Sequence, residues 1–292
     1  MRLKVILIIV FQILCCGCLL AQEENTLLNQ IDTIGEDRPV KGFKSSRLIL
    51  GQSTVQLAER ELQFRVSHLF GRITDGIEEL YGLDQMYNVD LSFEYGITNR
   101  SQVGLARSND FDKTVQLSFK RALIRQSLQN SPKFSLSYFG SFNIKTRNYD
   151  ESRSFSDRLE YVNQLLLSRR FSKKIAVQIS PSYTYLSRVL TNQHPHSLLA
   201  TNFGVSTSIT KSTNFNIEYI YTFPTFTSDL YDFKKNVLSL GFDIETGGHV
   251  FQVYITNSTR VQPGSFIQQY NNDNFFDGDI HIGFSIMRSF NF

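Results

Sequence analysis

The chain has 292 residues, of which 41% are hydrophobic and 13% aromatic, with 30 basic and 27 acidic side chains. This near-balance of charge gives no support for nucleic-acid binding, and we predict no such partner. After residue 21 no apolar run approaches the roughly 18 to 20 residues of a membrane-spanning helix, so we predict no spanning helix in that part of the chain.

The N-terminus has the pattern of a secretory signal peptide. Residues 1–4 form a short region with two basic residues, Arg2 and Lys4, residues 5–20 form an apolar run, and Ala21-Gln22 is a plausible cleavage site. We therefore predict a signal peptide over 1–21, with a single membrane helix and lipidation of Cys18 as alternatives. All three cysteines lie in this stretch, so the processed chain would form no disulfide and no cysteine metal site.

Residues 22–59 follow without a clear strand pattern. We expect this N-terminal segment either to lie in the periplasm or to fold back as a plug in the lumen of the domain that follows. That domain, residues 60–292, has alternating apolar and polar residues along most of its length, which is the pattern of strands with one apolar face.

The alternation predicts about twelve strands. It is clearest at 87–97, where Tyr, Val, Leu, Phe, Tyr and Ile alternate with polar or small residues. It recurs near 61–70, 102–108, 114–123, 134–145, 158–169, 175–185, 199–209, 214–223, 236–245, 249–258 and 280–292. An even number of strands is the rule for single-chain outer-membrane barrels.

The last stretch, 280–292, has apolar or aromatic residues at its even positions, apart from Arg288, and stops on Phe292. It resembles the closing strand of a transmembrane barrel, and we expect it to be the segment through which the barrel assembly machinery engages the chain. A soluble β-sandwich also alternates, but its solvent face would normally carry more charge than the Ser, Asn, Gly and Gln seen here. The prediction is an all-β, antiparallel transmembrane β-barrel in the outer membrane, in contact with the lipid bilayer.

Alternation also assigns polar side chains to the lumen. The charged residues predicted to face inward, and so to line any pore, are Glu61, Arg65, Asp90, Glu94, Lys120, Arg158, Glu160, Glu218, Asp243 and Glu245. Acidic positions outnumber basic ones in this set, so an open pore would prefer cations weakly. The same charges could instead brace the wall by pairing with one another.

Three stretches carry a family resemblance: GFKSSRLILGQS at 42–53, ELQFRVSHLFGR at 61–72 and YGLDQ at 81–85. The chain resembles an uncharacterised family of outer-membrane β-barrel proteins of Gram-negative bacteria, from about residue 42 to its end. The resemblance implies a barrel in the outer membrane and no established activity. Arg47, Arg65, His68 and Asp84 are the motif positions of interest.

No motif in the sequence supports catalysis, and we predict no enzyme, no cofactor and no metal site. His68 falls on the apolar-parity face, and no nucleophile elbow accompanies it. The two histidines around Pro195 have no further ligand in view.

Two functional hypotheses remain. A lumen lined by small polar residues favours a channel for ions or small polar solutes. The alternative is a non-conducting structural or partner-binding barrel that acts through its loops or residues 22–59.

Overall fold

The computed structural model describes residues 40–127, 132–189, 195–223, 235–268 and 272–292. The predicted signal peptide and residues 22–39 of the predicted N-terminal segment lie outside these residues, so that division of the chain remains a prediction. The described part is dominated by one sheet that closes on itself.

Twelve antiparallel strands form a closed barrel in which each strand pairs with its sequence neighbours and β1 pairs with β12. This confirms the predicted fold class. The strands are β1 Glu61–Arg72, β2 Met86–Thr98, β3 Ser101–Ser108, β4 Thr114–Ile124, β5 Ser135–Lys145, β6 Leu159–Arg170, β7 Ile175–Leu186, β8 Ser197–Ser208, β9 Thr213–Thr222, β10 Val237–Thr246, β11 His249–Thr256 and β12 His281–Asn291.

The two faces of the wall differ as the alternation predicts. In β2, Leu91, Phe93 and Tyr95 are 43%, 47% and 39% exposed on the outside. Asp90 and Glu94, at alternate positions of the same strand, are buried inside. Large apolar side chains that remain exposed around a closed barrel form the surface that contacts lipid. The protein is therefore a transmembrane barrel in contact with the bilayer.

The links between strands differ at the two ends of the barrel. The chain enters β1 and leaves β12 at the end where β2–β3, β6–β7, β8–β9 and β10–β11 are joined by short turns. Because outer-membrane barrels have short periplasmic turns, this end faces the periplasm and the longer links are external. The external links contain 3-10 turns at Ile73–Asp75, Leu80–Gly82, Ser156–Arg158 and Phe275–Asp277, and one helical turn, α1, at Pro263–Phe266.

Among the described residues, no helix is long and apolar enough to cross a membrane.

Two stretches of chain that are not part of the wall occupy the lumen. We name residues 42–57, which precede β1, the lumen segment, and residues 257–268, between β11 and β12, the inserted loop. Most of their residues are buried, and both make hydrogen bonds to side chains on the inner wall. The polar lumen expected from the sequence is therefore filled with protein.

Candidate functional site: the occupied lumen

The lumen segment forms a tight hairpin inside the barrel. The N–H of Leu48 donates to the carbonyl of Gly51 at 2.8 Å, and that of Ser53 donates to Ser46 at 3.0 Å. These bonds satisfy backbone groups that would otherwise be unpaired away from bulk water. The hairpin carries Leu48, Ile49 and Leu50 at its tip, and all three are buried.

One wall carboxylate holds the hairpin tip. Glu218 on β9 accepts hydrogen bonds from the backbone N–H groups of Ile49 at 3.3 Å, Leu50 at 2.7 Å and Gly51 at 2.9 Å. Asn202 on β8 donates to the same carboxylate at 2.5 Å. Hydrogen bonds to a charged acceptor are stronger than those between neutral groups, so Glu218 acts as a latch on the lumen segment.

Charged side chains around Arg47 form the centre of the lumen. The buried guanidinium of Arg47 lies 3.7 Å from the carboxylate of Glu94. The ammonium of Lys120 on β4 lies 3.3 Å from the carbonyl oxygen of Ser46. The side chain of Gln252 on β11 donates to the carbonyl of Leu48 at 2.7 Å. These contacts between the wall and the lumen segment are all polar.

The inserted loop is held by a second set of wall residues. Gln262 donates to Asp90 at 2.8 Å, and Asp90 also forms an ion pair of 3.0 Å with Arg65. Gln268 donates to Glu160 on β6 at 3.0 Å. Two of the predicted lumen carboxylates therefore bind chain rather than facing open water.

An apolar cluster lies where the two inserted stretches approach each other. Ile49 and Leu50 of the lumen segment share it with Val261, Phe266 and Ile267 of the inserted loop. The wall contributes inward-facing apolar residues, Leu69, Leu186, Leu198, Ala200, Ile220, Val237 and Tyr254. Such a cluster excludes water from this level of the barrel.

The structure places the other predicted residues in different settings. Buried Asp243 accepts from Gln252 at 2.8 Å, and Glu61 accepts from the N–H of Ala58 at 2.7 Å. Arg158 and Glu245 lie at the two mouths of the barrel rather than along its length. Arg158 donates to the carbonyls of Lys145 and Arg147, and Glu245 is 57% exposed and pairs with Lys44.

The family-motif positions do not form one site. Arg47 and Arg65 are buried in the lumen. His68 lies on the outer face, where its ring stacks on Phe70 with centroids 6.3 Å apart. Asp84 is exposed in the external link between β1 and β2. Within the described residues no three His, Cys, Asp or Glu side chains are grouped as metal ligands would be.

Several lumen contacts come from neutral side chains that the sequence reasoning did not single out. Asn202 and Gln252 on the wall and Gln262 and Gln268 in the inserted loop are examples. The first two share inward parity with the predicted charges. The two loop residues belong to no strand, so alternation has no signal for them.

The external end of the seam between β1 and β12 carries an ion-pair clamp. The Nε and Nη2 atoms of Arg72 donate hydrogen bonds to the Asp273 carboxylate at 2.6 and 2.9 Å. The Nε2 atom of His281 lies 2.9 Å from the same carboxylate. Burial raises the pKa of Asp273, but the hydrogen bonds from His281 and Arg72 outweigh burial and hold it below its ordinary value of 3.8. The clamp ties the external link to the seam.

A closed antiparallel barrel with an apolar outer band and a polar interior defines a transmembrane β-barrel of the outer-membrane class. The model of one family, described as membrane bound beta barrel domain (DUF5777), matches residues 43–290, and the chain belongs to that family. This confirms the resemblance drawn from the sequence. No curated protein matches the chain.

Solved structures that the chain resembles include outer-membrane porins. The NanC porin is 11% identical, with a TM-score of 0.48, over 79% of this chain and 100% of that one. The KdgM porin is 10% identical, with a TM-score of 0.46, over 79% and 99%. The outer membrane protein Omp33 of Acinetobacter baumannii is 8% identical, with a TM-score of 0.42, over 80% and 100%.

Proposed function

We propose that the protein is an outer-membrane channel for ions or small polar solutes, closed by its lumen segment. The observation that carries this proposal is the way the segment is held. Its hairpin tip is bound to the wall through Glu218 and a few other polar side chains. Polar contacts of this kind can be exchanged for water at modest net cost, so the segment is displaceable.

Displacement of the segment would leave an acidic lumen. It would take Arg47 away from the wall and leave six buried carboxylates against two buried cations among the described residues. The carboxylates are Asp90, Glu94, Asp110, Glu160, Glu218 and Asp243, and the cations are Arg65 and Lys120. An excess of inward carboxylates favours cations, so the open channel is expected to be cation-selective.

A reversible cross-link tests this proposal in the whole protein. The hydroxyl oxygens of Thr54 in the lumen segment and Ser168 on β6 are 2.6 Å apart, which suits a Thr54→Cys, Ser168→Cys pair. The three N-terminal cysteines would be changed to Ser. In planar bilayers, conductance steps with cation preference should appear only after reduction of the cross-link.

The matched control is a disulfide that joins wall to wall. Ser67 on β1 and Ser285 on β12 have hydroxyls 2.8 Å apart, so Ser67→Cys, Ser285→Cys locks the seam and leaves the lumen segment free. This variant should conduct when oxidised and when reduced. If neither variant conducts in any state, the channel proposal fails.

A second candidate is a non-conducting barrel that acts through its loops or its N-terminal segment. The apolar cluster favours it, because Ile49, Leu50 and Phe266 join a water-excluding layer. Absence of conductance in a folded, reduced barrel is the result that this candidate predicts.

A further inference from the structure

The described part of the periplasmic rim carries arginines that have no carboxylate partner. Arg121, Arg169 and Arg288 are exposed near the periplasmic ends of β4, β6 and β12. Arg100 lies in the turn between β2 and β3, and Arg125 follows the end of β4. Among the described residues, none of these five guanidinium groups makes a hydrogen bond or an ion pair with another side chain.

The external rim differs, because several of its cations pair with carboxylates. Arg72 pairs with Asp273 at 2.6 Å and Lys145 with Asp112 at 3.2 Å. Arg188 forms an ion pair with Glu151. At the periplasmic rim the acidic side chains are few, and Glu61 and Glu245 already bind the Ala58 N–H and Lys44. The described periplasmic rim therefore offers its arginines few carboxylates to pair with.

The periplasmic arginines lie at the level of the aromatic boundary. The guanidinium of Arg169 is 4.8 Å from the ring centroid of Phe171, and that of Arg288 is 5.0 Å from that of Phe290. Both rings are exposed on the outside. Exposed aromatic rings mark the interface between hydrocarbon and headgroups, so these cations lie where lipid phosphates lie.

Arg100 and Arg125 provide a second, independent feature that favours an anion at this rim. Burial, and beyond it the positive charge of Arg100, lowers the pKa of Arg125. An anion that binds to both guanidinium groups would stabilise the charged form of Arg125.

We infer that the periplasmic rim, through Arg100, Arg121, Arg125, Arg169 and Arg288, binds the phosphate headgroups of anionic phospholipids in the inner leaflet of the outer membrane. Arginine binds phosphate with two parallel hydrogen bonds, and an acyl chain can lie along the apolar wall beside each site. The inference is independent of whether the barrel conducts.

The test measures lipid selectivity by electron spin resonance. The full barrel is reconstituted in phosphatidylcholine with spin-labelled phosphatidylglycerol or spin-labelled phosphatidylcholine. At low salt we expect the association constant of phosphatidylglycerol to be at least about three times that of phosphatidylcholine, since each basic residue near the surface adds attraction. In high salt this preference should be lost.

Two triple variants locate the site. Arg100→Gln, Arg121→Gln, Arg125→Gln should bring the selectivity close to one. Arg107→Gln, Arg147→Gln, Arg153→Gln removes the same charge from the external end and should leave the selectivity unchanged. Heat-modifiable migration in gels verifies that both are folded. Equal association of the two lipids with the native protein, or equal losses in the two variants, would overturn the inference.

Discussion

Glu218 concentrates the attachment of the lumen segment in one side chain, since three consecutive N–H groups donate to it. Glu218→Gln keeps the shape but removes the charge and turns an amide N–H₂ toward these donors. Loss of charge-assisted hydrogen bonds of this kind costs about 2 kcal/mol, or a factor of about 30 in the population of the displaced segment.

A cysteine reporter measures that population. Ser46→Cys places a thiol at a buried position of the lumen segment, in a chain whose N-terminal cysteines are changed to Ser. Glu218→Gln should raise its rate of maleimide labelling by about tenfold or more. Glu160→Gln, an equally buried change that touches the inserted loop and not the lumen segment, is the control. Equal rates in the two variants would show that Glu218 is not the latch.

Asp273 makes the external clamp dependent on pH. The pKa of Asp273 is held below 3.8 in the folded protein. Asp273 therefore stabilises the fold fully at pH values above its pKa in the unfolded chain. This stabilisation disappears as the pH falls through its pKa in the folded protein. The protection factors of amides around residues 272–280, which are exchange rates corrected for the intrinsic effect of pH, should therefore fall between pH 5 and roughly pH 3 in the native protein. In Asp273→Asn the protection factors should be low at both pH values. An equal pH response of the two proteins would contradict this assignment.

At the scale of elements, the hairpin of the lumen segment depends on close approach to the wall. A Cβ on Gly51 would overlap the Asn202 amide and the Glu218 carboxylate, whereas one on Gly42 would meet only the Ala176 methyl at 3.4 Å. Gly51→Ala should therefore loosen the segment without changing any charge, and Gly42→Ala should not. Ion leakage from liposomes that contain each variant is the measurement. Similar leakage from the two variants would show that the hairpin does not close the channel.

All twelve strands could be predicted from the sequence, because each side chain in a two-faced wall must suit either lipid or lumen. The strand 175–185, for example, is observed as Ile175–Leu186. The lumen contents could not be predicted in this way. Glu218 binds backbone N–H groups, which every residue type carries, so no side-chain pattern marks its partners.

Apolar residues on the inner face of the wall also depend on lumen contents that the alternation does not predict. Leu69 and Ile220 are buried in the lumen because the hairpin tip and the inserted loop bring apolar side chains to them. Their inward parity was readable from the alternation, but the partner that makes an apolar residue favourable there comes from distant parts of the chain. The alternation predicts which side chains of the wall face inward, but it does not predict which segments of the chain fill the lumen.

At the scale of the whole molecule, the two ends of the barrel differ in whether their basic side chains pair with carboxylates of the protein. Several external cations are paired within the protein, as in Arg72 with Asp273, and such pairs fix the external links to the barrel. Periplasmic arginines such as Arg121 and Arg169 remain available to the membrane. Binding of lipid phosphates by these arginines would hold the periplasmic end of the barrel at the inner leaflet and so resist its tilting.

Phe292 permits a test of assembly that leaves the folded barrel intact. Its side chain is 77% exposed, and its backbone N–H donates to Arg60 at 3.2 Å, so the ring adds little to the stability of the fold. If the barrel assembly machinery engages the chain through this strand, Phe292→Ala should lower the amount of barrel in the outer membrane several-fold. The temperature at which the purified protein loses its folded migration in gels should stay the same. Phe276→Ala removes an 88% exposed ring from an external link and should change neither quantity, so a matching loss of assembly in that variant would refute a specific role for Phe292.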